Sequence, residues 1–112
     1  MFATDAGVLQ GTIELLVLKR LSWGPMHGYG IARWIETATE DVLRVEEGSL
    51  YPALYRMIRT GWITGEWGTS DRNRRAKFYR LTPPGRRELD QQSHGWLRLS
   101  HAVSRAVTAK DL

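Results

Sequence analysis

The chain has 112 residues, 42% hydrophobic and 25% charged, which is the make-up of one ordinary globular domain with one core. It contains no cysteine, so disulfides, thiolate metal sites and cysteine nucleophiles are excluded. The net charge of +4 is unevenly spread: residues 1–47 hold seven acids against four bases, residues 48–87 two acids against nine bases, and residues 88–112 balance. A block this basic is the footprint expected of a nucleic-acid face, with a solvated basic surface as the plainer alternative.

The first residues, Met1-Phe-Ala-Thr-Asp-Ala6, lack a basic segment followed by an apolar run, so no secretory leader is expected. The longest apolar run, Leu15 to Leu18, is far too short to span a membrane, and the expected compartment is the cytoplasm. Leu9, Ile13, Leu16, Val17 and Leu21 recur at helical spacing, with Glu14, Lys19 and Arg20 largely on the other side. This first helix should end near Trp23, where Gly24-Pro25 breaks it. A second helix is predicted from about His27 to Thr39, burying Ile31 and Ile35 with Trp34 beside them; Gly28 and Gly30 weaken its start. Leu43 to Glu46 reads as a short strand or an extended link.

The third helix is the best defined. Ser49 or Gly48 serves as its cap, which puts Pro52 in the first turn, where no amide hydrogen is needed. Leu50, Leu54 and Met57 share an inward face, while Ser49, Pro52, Ala53 and Arg56 point away from them. Gly61 suits a left-handed stop. The outward side is small near its start and basic near its end, which lets a helix approach base edges while arginine reaches phosphate or guanine.

Two strands follow, Trp62 to Trp67 and Ala76 to Leu81, joined by a polar loop from Gly68 to Arg75. With Arg72, Arg74, Arg75 and Lys77, this hairpin suits a phosphate backbone or a minor groove. A helix followed by a small basic hairpin is the layout of a winged helix-turn-helix, an α+β, mostly α fold. Thr82-Pro83 then caps a last helix that can run to about Lys110. In it Leu89, Gln92, Trp96, Leu99, Val103 and Ala106 alternate three and four apart. Such a helix, about 40 Å long, outreaches a small winged helix, and a homodimer is the simplest cover for its apolar seam. Residues 1–82 thus form a winged-helix DNA-binding domain and residues 83–112 a C-terminal dimerisation helix.

An enzyme fits poorly. His27, His94 and His101 are the only histidines, and the last two stand seven apart, too far for paired ligation from one helix. No phosphate-cradling glycine loop and no nucleophile with a base appears, so neither catalysis nor a metal or cofactor is expected. A winged-helix module that docks other proteins and has lost DNA binding is the remaining alternative, but it predicts a wing stripped of arginine.

The chain resembles the PadR family of transcriptional regulators, and the likeness covers nearly its whole length. It rests on Gly11-Thr-Ile-Glu-Leu-Leu-Val-Leu18, Gly24-Pro-Met-His-Gly-Tyr-Gly-Ile31, Glu47-Gly-Ser-Leu-Tyr-Pro-Ala-Leu54, Gly61-Trp-Ile63 and Arg74-Arg-Ala-Lys-Phe-Tyr-Arg-Leu-Thr82 with Gly85. The single final helix is similar to that of the short subfamily. The resemblance implies a dimeric, DNA-binding repressor on a near-palindromic operator, with the third helix in the major groove of duplex DNA and the wing alongside. By matching position it implies DNA contacts at Tyr29, Ser49, Tyr51 and the wing bases, with Tyr51 alternatively a packing residue. It also implies that Trp96 stacks a small aromatic effector at the dimer interface, where the plainer reading is interface core.

Overall fold

The computed structural model describes residues 6–111, with side chains from residue 11 onward. The segment Met1 to Asp5, which bears on the expected absence of a leader, and the side chain of Leu9 lie outside the described residues. The elements are α1 (Ala6–Leu21), β1 (Met26–His27), α2 (Gly28–Ala38), α3 (Glu47–Thr60), β2 (Ile63–Thr69), β3 (Arg75–Leu81) and α4 (Pro83–Thr108). They form a winged helix-turn-helix: three helices packed on a three-stranded antiparallel sheet, with α4 leaving along α1.

The core is drawn from every element but β1. Ile13, Val17, Leu18 and Leu21 of α1 meet Ile31 and Ile35 of α2, Leu50, Leu54 and Met57 of α3, and Ile63 and Tyr79 of the sheet. Leu43 to Glu46 is an extended link, anchored by buried Val45. β3 is the central strand, with Ile63 opposite Leu81 and Thr69 opposite Arg75 on one side. On its other side β1 pairs Met26 with Tyr79 and His27 with Phe78. This third strand was not foreseen, because two residues between Gly24-Pro25 and a helix carry no alternating pattern.

The hairpin is longer, and its loop shorter, than the sequence suggested. Gly68, Thr69 and Arg75 belong to the strands, and the turn is closed by Ser70 N–H to the Arg74 carbonyl at 2.8 Å, with Asn73 in the left-handed region at φ 58°. Asparagine tolerates that conformation better than most side chains.

The start of α3 needs correcting. The helix begins at Glu47 with Glu46 as its cap, so neither Ser49 nor Gly48 caps it and Pro52 lies in the helix interior. An interior proline removes an amide donor and leaves the carbonyl four residues back without its partner. That residue is Gly48, which is exposed to water. Glu47 in the first turn complements the helix dipole. At the other end Gly61, at φ 88°, turns the chain, and its N–H reaches the Met57 and Ile58 carbonyls.

Helix α4 is capped by Thr82, whose hydroxyl accepts from Gly85 N–H at 3.1 Å. Its first two turns belong to the same core as the winged helix. Leu89, expected in the dimer seam, is 6% exposed and buried within its own protomer. The cause is that α4 starts against α1 and, at Gly85, against Leu81 and the Trp62 carbonyl, so the stripe becomes free only after this contact ends. Gly85 makes that approach possible, since a Cβ there would strike the Trp62 carbonyl oxygen. Gly85→Ala should therefore cost about 1–3 kcal/mol and lower the melting temperature by several degrees in a calorimetric comparison. An unchanged melting temperature would show that the junction of α4 with Trp62 yields.

Candidate nucleic-acid interface

Helix α3 turns a polar and aromatic ridge to solvent. At about 100° per residue, Gly48, Pro52, Tyr55 and Arg59 lie opposite Leu50, Ala53, Leu54 and Met57. Ala53 was expected on the outward face, yet it is 0% exposed. It stands three residues after Leu50 and four before Met57, inside an apolar stripe one residue wider than the sequence suggested. Arg56 is half-buried on the α1 side, with Nε 3.4 Å from a Glu14 carboxylate oxygen. It is displaced roughly a quarter-turn from the middle of the ridge. Sequence reasoning missed Tyr55, 64% exposed, and Arg59, whose guanidinium sits 5.8 Å from the Tyr55 ring centre. The same helical period, carried one turn past Pro52, reaches Tyr55, and a second turn reaches Arg59.

The wing presents its own arrangement. Arg75, Lys77 and Tyr79 alternate onto one face of β3, and Trp67 stands directly across from Lys77. The Arg75 guanidinium lies 4.8 Å above the Trp67 ring centre, and the Lys77 ammonium 6.0 Å from the Tyr79 ring centre. Gly65 opposite Tyr79 leaves room for the lysine stem, because a Cβ at 65 would fall 2.6 Å from Lys77 Cε. Arg72 and Arg74 are exposed in the turn. Trp67 is itself exposed, and an exposed tryptophan carrying a stacked cation is a feature the composition of the loop did not announce.

Between α3 and the wing stands the first turn of α2. His27 caps it, its Nδ1 accepting from Gly30 N–H at 2.9 Å, and its ring stacks on Tyr29 and meets Phe78 edge-on. Tyr51 packs on α2 and is still partly exposed. Its phenol lies against Gly28, where a Cβ would come within 2.6 Å of the hydroxyl, while 41% of the residue stays exposed. A cleft of about 420 Å³ opens here, lined among others by His27, Tyr29, Tyr51, Trp67, Arg75 and Lys77. Tyr29, Tyr51, Arg75 and Lys77 thus share one concavity, while Ser49 and Pro52 are exposed on α3 outside its lining.

Away from this face, the second half of α4 is bare. Trp96, Leu99 and Val103 are each at least half exposed, and Ala106 is exposed on the same stripe. Leu97 and Val107 are exposed too, at 53% and 78%. Among the described residues no helix is long and apolar enough to cross a membrane, and no group of three or more His, Asp or Glu is placed to hold a metal ion.

A helix-turn-helix flanked by a basic wing is the framework of DNA-binding regulators. Residues 17–91 match the transcriptional regulator PadR-like family, and the chain belongs to that family, whose members are regulators of transcription, not enzymes. A transcriptional regulator from Clostridium thermocellum superposes with a TM-score of 0.78 at 26% identity, over 88% of this chain and 96% of that one. A PadR-like transcriptional regulator from Bacillus cereus does so with a TM-score of 0.73 at 28% identity, over 93% and 95%. A 37.1 kDa protein from a transposon of Streptomyces fradiae is 37% identical over 90 residues, which are 80% of this chain and 24% of that protein. The chain therefore spans about a quarter of the length of that relative.

Two phenols at the cleft are held above their ordinary value of 10.0: Tyr51 by burial and then by the Glu47 carboxylate, Tyr79 by burial and then by Tyr51. The unfolded chain therefore loses these protons first as pH rises. Their contribution to stability is complete below about pH 10 and disappears as pH climbs through the raised values. Denaturant unfolding between about pH 8 and about pH 11 should show a falling alkaline limb. Tyr51→Phe and Tyr79→Phe should each flatten it; an unchanged limb in both would remove these phenols from the alkaline response.

Proposed function

We propose that this protein is a cytoplasmic repressor that binds a near-palindromic operator as a homodimer. The observation that carries the reading is the exposed α3 ridge standing beside a wing whose Arg72, Arg74, Arg75 and Lys77 have no ion-pair partner among the described residues. In this reading α3 enters the major groove, with Tyr55 and Arg59 reaching furthest and Ser49, Tyr51 and Pro52 framing the close approach. Arg56 steadies the helix against α1. Tyr29 and the wing bases grip the backbone. Residues 1–82 serve as the DNA-binding part, and residues 83–112 supply the dimer helix, whose contact begins at Trp96 and continues through Leu99, Val103 and Ala106. Burying that stripe against its twin is the simplest way to remove it from water. Two-fold symmetry then sets the two α3 helices about one DNA turn apart, roughly 34 Å.

Titration of duplex fragments from the source genome across a salt series tests this. Removing one phosphate-binding cation should lower the slope of log K against log salt by about 0.9. Arg74→Ala with Arg75→Ala should thus weaken all sequences alike, whereas Arg59→Ala should relax discrimination between them. Leu99→Asp with Val103→Asp should give monomer in sedimentation and weaken operator binding, because the half-sites are no longer linked. No binding at low salt overturns the DNA-binding reading; a double mutant that stays dimeric overturns the seam.

The same reading includes release by a small planar aromatic effector stacked on Trp96, which is 50% exposed on this stripe. Two symmetry-related indoles would each contribute about 0.5–1.5 kcal/mol of stacking beyond area burial. The effector releases DNA only if it prefers a subunit spacing that misplaces α3. Planar dyes and phenolic acids should displace operator from the wild type and lose that effect in Trp96→Ala. Equal displacement in both proteins overturns the role of Trp96.

A further inference from the structure

Arg33 lies outside the basic block of the sequence and is the only basic residue of α2. It is exposed, one turn beyond Tyr29. The fold brings it opposite the wing tip. A groove of about 710 Å³ runs between the two, with Arg33 on the α2 wall, Arg72, Arg74 and Arg75 on the wing wall, and His27 and Tyr29 in its lining. We propose that this groove is a clamp for adjacent phosphates of the DNA strand bordering the wing, with Arg33 as its fixed jaw. The assignment rests on the operator binding proposed above.

Four arginines from segments about forty positions apart line this groove, and among the described residues none of them has an ion-pair partner. Asp71 also lines the groove, yet no ion pair ties it to any of them. Like charges gathered in a concavity focus a positive potential, which an anion relieves. The groups are arginines, whose planar fork matches two phosphate oxygens at once. One of them is already oriented, since Arg75 rests on the Trp67 ring. Arg33 stands on a helix and the others on a hairpin turn and strand end, so α2 supplies the rigid wall and the wing tip the adjustable one. Gly30 lets the Met26 side chain lie over it as part of the floor, since a Cβ there would run into that side chain. Adjacent phosphates occur both in a DNA strand and in a free polyphosphate, and the experiment separates these sources.

Full-length wild type, Arg33→Ala and Arg33→Lys are compared on operator and unrelated duplex across a salt series, with circular dichroism melts to establish that all three fold. Arg33→Ala should lose roughly tenfold on both duplexes and lower the salt slope by about 0.9. Arg33→Lys should keep the slope, because the charge remains, while losing affinity with the fork. Phosphate-ethylation interference should show a backbone position beside the wing that matters to the wild type and not to Arg33→Ala. A merely structural role for Arg33 would leave that footprint unchanged. Inorganic triphosphate at constant ionic strength provides the second arm. If it displaces DNA from the wild type more than from Arg33→Ala while the ethylation pattern is the same in both, the groove takes free polyphosphate and the backbone clamp is overturned. An Arg33→Ala protein with wild-type slope and footprint overturns it as well. Failure of the wild type to bind any duplex overturns operator binding itself, a separate outcome.

Discussion

Four elements meet at a single carbonyl. The Trp62 oxygen receives the Thr82 backbone N–H at 3.1 Å, lies 2.9 Å from the Thr82 hydroxyl, and sits where a Cβ on residue 85 would go. The same hydroxyl is 2.6 Å from the Gly61 carbonyl, and it accepts from Gly85 N–H. It has one proton, so it serves one carbonyl at a time while capping α4. Through this knot the end of α3, the first residue before β2, the end of β3 and the start of α4 are held within one turn of each other. The orientation of the wing relative to α3, and of α4 relative to both, follows from it. Gly61 and Gly85 are required here for different reasons, one for a left-handed turn and one for contact with backbone.

Helix α3 is a compromise between a helix that is easily formed and one that can lie close to a partner. It carries Gly48 and Pro52, both poor helix formers, on its exposed side. Tertiary packing offsets that weakness: Leu50, Ala53, Leu54 and Met57 are each at most 1% exposed. The result is a ridge with little side-chain bulk near its start and with Tyr55 and Arg59 further along. Small groups where close approach is needed, and long ones where reach is needed, is the distribution suited to groove reading.

Much of this is legible in the sequence, because the period of the apolar residues and the position of glycine and proline are local signals. The ends of α1 and α2, the stop at Gly61, the cap at Thr82 and the basic hairpin all follow from such signals. What stays hidden depends on tertiary contact. Ala53 is small enough to suit either face, and only the meeting of α3 with α1 and the sheet decides for the core. Leu89 obeys the heptad pattern as well as Trp96 does, and only the close approach at Gly85 shows where protomer core ends and bare stripe begins. Strand β1 has no pattern at all, and it exists because β3 offers a free edge beside it. Arg33 is invisible in the sequence as part of any site, since its companions lie in another element.

Helix α1 occupies the position that matters for communication between the two ends of the molecule. It contacts both α3 and α4, and its Glu14 holds Arg56 of α3 from one side. A pair still partly open to water contributes at most about 1 kcal/mol to stability. Its use is geometric: it gives the outward face of α3 a fixed rotation about α1. Val17 and Leu18, each 0% exposed, make the same connection through close packing, which shifts between discrete arrangements more readily than it stretches. In a two-fold pair built on α4, a change in how the two α4 helices cross would move α1, and α1 would carry α3 with it as a unit. A ligand between the subunits would then act on DNA binding by altering the separation of two rigid readers, with the readers themselves unchanged.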